Sequence, residues 1–254
     1  MNILLTVQYD GTNYNGWQRQ ENTPHTIQQV LEGALELRLG AYRQVTAAGR
    51  TDSGVHAFAM PCAFCCEGLN IPPTRLPLAL NSLLPHDIRV LHACVVPDDF
   101  DPITSAVAKT YRYQLDNAEI PNVFLRRYAW HIHKTLDTEA MAEAAAYFTG
   151  THDFKAFCAA HGSARTSVRE IFALDVVREA DTISISITGN GFLYNMVRII
   201  TGTLVDVGLG AKYPSDIPAI ITSCDRKKAG QTAPPCGLAM INVDYGELLS
   251  NHIS

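Results

Sequence analysis

The sequence predicts an α+β protein of two ferredoxin-like β-α-β-β-α-β domains, residues 1–105 and 106–254. Two observations carry this. Hydrophobic spacing changes between the strand and helix periods in the same order in each half of the chain. With 254 residues, 47% of them hydrophobic and 18% charged, the chain can bury two modest cores and is too apolar for general disorder. The two halves join near residues 97–104, and a cleft between them is the default place for a ligand.

In the first half, residues 3–8 alternate as a strand. Within 26–39, Ile27, Val30, Leu31, Ala34 and Leu35 keep helical spacing. Residues 45–48 and 55–66 read as two strands separated by Gly49 and Gly54, which permit a sharp, exposed turn. A helix over 74–84 stops at Pro85, and a strand follows over 89–96. The second half repeats the order: strand 109–115, helix 138–148, strands 169–177 and 183–188, helix 193–209 and strand 240–245. Thr138 supplies a capped start for the first of these helices, with Met141, Ala144, Ala145 and Phe148 on one face.

Composition excludes some functions. Twenty basic against 25 acidic residues give a formal net charge of -5, which argues against indiscriminate polyanion binding. No apolar run reaches the roughly 18 residues of a spanning helix. The opening segment has no basic stretch and meets Asp10 early, so the expectation is a cytoplasmic protein without contact to a membrane. Cys62, Cys65 and Cys66 fall in a strand-like apolar run and the other four of seven cysteines are scattered, a pattern of reduced core thiols. No second cysteine pair stands at ligand spacing, and His131 and His133, which flank Ile132 on one strand face, lack a third ligand nearby. No metal site is expected.

The segment richest in chemistry is Gly49-Arg50-Thr51-Asp52-Ser53-Gly54-Val55-His56-Ala57. It places a guanidinium, a carboxylate and an imidazole in one turn, where two glycines can lift side chains to an exposed edge. The same residues would also suit a hairpin whose Asp52 and Ser53 bond the local backbone.

This segment resembles the signature of the tRNA pseudouridine synthase A family. Lys109-Thr110-Tyr111-Arg112-Tyr113 and the stretch from Gly189-Asn190-Gly191-Phe192 to Met196-Val197-Arg198 are similar to two further family motifs. So are His152-Asp153-Phe154, Thr232-Ala233-Pro234-Pro235-Cys236-Gly237-Leu238, Tyr9-Asp10-Gly11-Thr12 and Gly16-Trp17-Gln18, so the resemblance spans nearly the whole chain. It implies a pseudouridine synthase fold whose two ferredoxin-like domains flank an RNA-binding cleft. It further implies isomerisation of uridine to pseudouridine at positions 38, 39 and 40 of the tRNA anticodon stem-loop, by a homodimer that holds tRNA. Asp52 is then the catalytic residue, Tyr111 the base-stacking tyrosine, and Arg198 the partner of Asp52. One departure stands out: between Phe100 and Ser105-Ala106 the family usually places a basic residue, and this chain has Asp101.

The reaction moves one glycosidic bond from N1 to C5 of uracil. It gains and loses no atoms overall, so no cofactor is expected, and the sequence holds no nucleotide-binding glycine motif. A carboxylate can serve as the nucleophile, at the sugar carbon or at the base. An arginine beside it favours its ionised form. Arg198 lies among Met196, Val197, Ile199 and Ile200, where a charge needs a partner unless it snorkels to solvent. Extruding a base costs a few kcal/mol, part of which stacking on Tyr111 would offset. Arg50 would fill the vacated space or hold phosphate. Tyr113 reads as a core aromatic, and His56 as a proton carrier or a structural hydrogen-bonding group.

Two other classes compete with the enzyme: a noncatalytic tRNA-binding or RNA-folding protein, and a small-metabolite binding protein. Asp52, Tyr111 and Arg198 together speak against the first, and the 49–57 segment is unexplained by the second. For RNA binding, the acidic balance requires concentrated positive charge. Residues 109–134 hold five bases against two acids, and Arg226-Lys227-Lys228 forms a second cluster. Together they suggest a narrow basic track on an acidic body.

Overall fold

The computed structural model describes residues 1–160 and 164–248. The chain is mixed α+β and divides into two compact units, Met1–Val107 with Met240–Ser254, and Ala108–Ala239. The division revises the expected boundary of 106–254, because the last strand belongs to the first unit. Local contacts explain why. The Val107 amide donates to the Asp244 carbonyl at 2.8 Å, the Tyr245 hydroxyl donates to the Pro102 carbonyl at 3.0 Å, and the Tyr245 ring lies 5.1 Å from that of Phe100.

In the first unit, β1 (Asn2–Tyr9) lies between β3 (His56–Cys65) and β4 (Ile88–Val96), antiparallel to both. The short β2 (Thr46–Ala47) pairs with the outer side of β3 near its C-terminal end. Helix α1 (Ile27–Leu39) starts where the Thr26 hydroxyl accepts the Gln29 amide, and stops at Gly40 in the left-handed conformation. Its Ile27, Leu31 and Leu35 are fully buried, as are Ile3, Leu5 and Val7 on one face of β1. Helix α2 (Leu76–Asn81) is shorter than the expected 74–84. Pro73–Arg75 forms a tighter 3-10 turn ahead of it, and the Leu83 and Leu84 amides both fold back on the Leu80 carbonyl.

In the second unit, β5 (Ala108–Asp116), β9 (Thr182–Gly189), β8 (Val168–Glu179) and β7 (Gly150–Asp153) are neighbours in that order, all antiparallel. The two-residue β6 (Trp130–His131) joins β5 in parallel and makes the pairing mixed. Helix α3 (Thr138–Ala146) is capped by Asp137 rather than Thr138: the Asp137 carboxylate accepts the Ala140 amide at 3.0 Å. Helix α4 (Met196–Gly208) begins three residues later than expected because Asn195, at φ 60°, cannot continue a right-handed helix. Helix α5 (Ile217–Ser223) has no counterpart in the sequence reading, nor has β7, while β6 covers only the start of the strand expected around His131 and His133. The strand β10 (Leu238–Asp244) begins at the end of this unit and runs into the first.

No helix among the described residues is long and apolar enough to cross a membrane. Cys62 and Cys66 are buried as expected, whereas Cys65 is exposed. Burial pushes the Cys62 thiol well above its ordinary pKa.

Candidate active site

The Asp52 turn lies between β2 and β3 and is held from behind by the chain that follows β1. The Tyr9 hydroxyl meets Thr51 Oγ1 at 2.7 Å. The Trp17 amide donates to the Thr51 carbonyl at 3.0 Å. The Tyr14 carbonyl accepts from the Ser53 hydroxyl at 3.0 Å and from the Gly54 amide at 3.3 Å. Ser53 therefore bonds a residue far away in sequence, not the local backbone of a plain hairpin. Two glycines allow this close approach. Gly16, at φ 84°, faces the Thr51 carbonyl so closely that a Cβ would stand 2.6 Å from it. A Cβ on Gly11 would run into the Val55 carbonyl.

The result is a turn with a buried foundation and a reachable edge. Thr51 and Val55 are buried, Asp52 is half-buried and Arg50 is exposed. The Asp52 carbonyl accepts the Val55 amide at 3.1 Å, closing the turn. His56 is buried, and its Nδ1 accepts the Gly11 amide at 3.1 Å and lies 3.2 Å from Asp10 Oδ1. Both contacts tie the imidazole to the turn that follows β1. Asp10 Oδ1 also takes the Thr12 amide at 2.9 Å, which shapes the 3-10 turn Gly11–Asn13.

In the second unit, Tyr111 lies on β5 opposite Ile187 and shares a face with Tyr113 and Leu115. Its ring meets Phe192 edge-to-face, with centroids 5.3 Å apart and planes at 88°. That packing fixes the ring plane. Tyr113 is fully buried, and its hydroxyl donates to the Pro234 carbonyl at 2.7 Å. Burial, reinforced by Cys236 and opposed by Arg198, raises its pKa far above the ordinary tyrosine value. The core reading of Tyr113 is borne out.

Arg198 leaves the first turn of α4 half-buried. Its Nε donates to the Ala233 carbonyl at 2.7 Å and its Nη1 to Asn195 Oδ1 at 2.8 Å, so the head group is fixed rather than snorkelling. The Ala233 amide donates in turn to the Arg198 carbonyl at 3.1 Å. The loop carrying Ala233 lies close on α4, where a Cβ on Gly202 would strike the Gln231 carbonyl. Arg226 straps the loop through the Gly230 carbonyl at 2.8 Å and Thr232 Oγ1 at 3.1 Å. One member of the expected basic track is thus a structural strap, while Lys227 and Lys228 stay exposed. Arg126 caps its own turn through the Val123 carbonyl at 2.9 Å.

The remaining expectations resolve locally. Asp101 accepts the Ile103 and Thr104 amides, each at 2.8 Å, so the departure at this position builds a turn. His131 Nε2 lies 2.9 Å from the Ala118 carbonyl, and the described residues contain no group of His, Cys, Asp or Glu arranged to hold a metal ion. Missed at the sequence level were Tyr9, Tyr14 and the close approaches of Gly11 and Gly16. The glycines were the available signal, since each flanks a turn without an evident hairpin.

The chain matches the model of the tRNA pseudouridine synthase family over residues 5–103 and 144–246, and it belongs to the tRNA pseudouridine synthase A family. Membership makes it an isomerase, a tRNA pseudouridine synthase.

It is 47% identical over 244 residues to the tRNA pseudouridine synthase A of Caldicellulosiruptor bescii, covering 96% of this chain and 99% of that one. Identity is 46% to that of Ruminiclostridium cellulolyticum, again over 96% and 99% of the two chains, and 44% to that of Geotalea uraniireducens with the same coverage. Among solved structures, a chain of a Cbf5-Nop10-Gar1 complex aligns with a TM-score of 0.40 at 11% identity, over 94% of this chain and 48% of that one.

Proposed function

We propose that this enzyme isomerises uridine to pseudouridine at positions 38, 39 and 40 of the tRNA anticodon stem-loop, with Asp52 as nucleophile. The target base leaves its stack and rests on Tyr111. The bond from N1 to the ribose carbon breaks, the base turns and C5 bonds to the same carbon; the C5 proton passes to solvent while N1 takes up a proton, and the bond formed by Asp52 is broken again before release. Arg198 keeps Asp52 ionised through the charge it brings. Arg50 takes the place of the extruded base or binds phosphate. The RNA is met by residues of both units, and the working form is a homodimer that holds tRNA.

The observation that carries this reading is the mounting of Asp52, whose neighbours Thr51 and Val55 are buried and anchored while its own side chain remains reachable. Rigid support of this kind is what a positioned nucleophile needs. Strand orders support two ferredoxin-like halves: β4-β1-β3-β2 in the first unit, and β5-β9-β8 in the second. The test uses tRNA tritiated at uracil C5. Tritium should pass to water without any added cofactor, and the modified positions should map to the anticodon stem-loop. A competent tRNA that releases none would contradict the proposal.

A further inference from the structure

The carboxylate of Glu32 lies on α1, among residues so far given no chemical role. Its side chain is 1% exposed. Four donors surround it: Oε1 accepts the Val45 amide at 3.0 Å and Gln28 Nε2 at 2.9 Å, while Oε2 accepts Arg19 Nη1 at 3.0 Å and the Tyr42 hydroxyl at 3.1 Å. Burying such a charge costs several kcal/mol even when it is paired, and an apolar residue of similar size is often as stable. What the carboxylate supplies in return is geometry.

That geometry leads to the Asp52 turn. Gln28 Oε1 accepts from Gln18 Nε2 at 2.8 Å and from the Arg19 amide at 2.9 Å. The backbone N–H of Gln28 donates to the Trp17 carbonyl, and that of Trp17 donates to the Thr51 carbonyl, both at 3.0 Å. Glu32 thus fixes Gln28 and Arg19, and these fix the strip 16–19 against which Thr51 rests. We infer that Glu32 is a positioning residue for the isomerisation, acting through the Gln28 side chain and Arg19 on the strip 16–19 that backs the residue before Asp52. The inference rests on the assignment of Asp52 made above.

The test combines single-turnover tritium release from tRNA at saturating enzyme, tRNA affinity by filter binding, and thermal unfolding. Glu32→Gln turns an amide N–H toward two of the four donors, and Gln28→Met removes the side-chain links from position 28 to Glu32, Gln18 and Arg19 while leaving Glu32 and the backbone bond to Trp17 in place. Each should slow release by about 10- to 100-fold through misplacement of the turn, with tRNA affinity changed by no more than about twofold. The double variant should be no slower than the worse single one. Tyr42→Phe removes a donor on the side away from Gln28, and should lower the melting temperature while leaving the rate within about twofold. Should Glu32→Gln fail to fold, Gln28→Met decides alone. Wild-type rates in the folded variants would overturn the inference, as would an equal loss in Tyr42→Phe, which would indicate general softening. Asp52→Asn separates the two levels. Full activity in that variant removes both the nucleophile and its positioning, whereas an inactive Asp52→Asn beside a fully active Gln28→Met removes the positioning alone.

Discussion

The Tyr9 hydroxyl lies 2.7 Å from Oγ1 of Thr51, a buried contact that ties the end of β1 to the residue immediately before Asp52. Tyr9→Phe takes this partner from a buried hydroxyl, which should cost about 1–3 kcal/mol of stability. Urea unfolding measures the loss. Because the contact also holds the turn, the folded variant should release tritium more slowly than wild type.

Gly16 and Gly40 separate backbone strain from steric approach. Both have positive φ, but a Cβ on Gly40 would meet nothing within 4 Å, whereas one on Gly16 would stand 2.6 Å from the Thr51 carbonyl. Gly40→Ala should cost roughly 1 kcal/mol from conformation alone and leave turnover unchanged. Gly16→Ala should be more destabilising and also slow the reaction, since the Asp52 turn must shift. Paired melting curves and single-turnover rates would contradict this if the two variants behaved alike.

Tyr111 offers a flat ring steadied by Phe192. If stacking is its function, Tyr111→Phe should change turnover by only a few-fold, while Tyr111→Ala should reduce it by about 10- to 100-fold, as expected for a contact of about 1–3 kcal/mol. Phe192→Ala should fall between them. Equal losses in Phe and Ala at position 111 would assign the role to the hydroxyl.

The cysteines give a structural check that is independent of catalysis. Cys65 is exposed, whereas Cys62 is buried and desolvation raises its pKa, so the Cys62 thiol stays protonated and unreactive at pH 8. Alkylation followed by peptide mapping should modify Cys65 quickly and Cys62 only on unfolding. Rapid labelling of Cys62 in the native protein would contradict the packing of β3.

Much of this was legible in the sequence because long periodic segments report burial directly. β1, α1, β3 and β9 fall within two residues of their expected limits, since Ile3, Leu5 and Val7, or Ile183, Ile185 and Ile187, alternate without interruption. The elements missed were short or contained proline. β7 has four residues and α5 seven with Pro218 in its first turn, too few for a period to emerge.

The site divided in the same way. Arg50, Asp52, Tyr111 and Arg198 could be named from motifs, but their support could not. The hydrogen bonds from Tyr9, Tyr14 and Trp17 to the turn join residues 34 to 42 positions apart, and no local pattern records such pairings. Arg226 shows the converse. In sequence it belongs to a basic run, and in space it straps the Ala233 loop.

The proposed role of Asp52 as nucleophile is tested by single-turnover tritium release from Asp52→Asn. The substitution keeps the size of the side chain while removing its charge. The variant should fold, bind tRNA with affinity near that of wild type, and release no tritium above background. Release at the wild-type rate from a tRNA that both proteins bind equally would contradict the account.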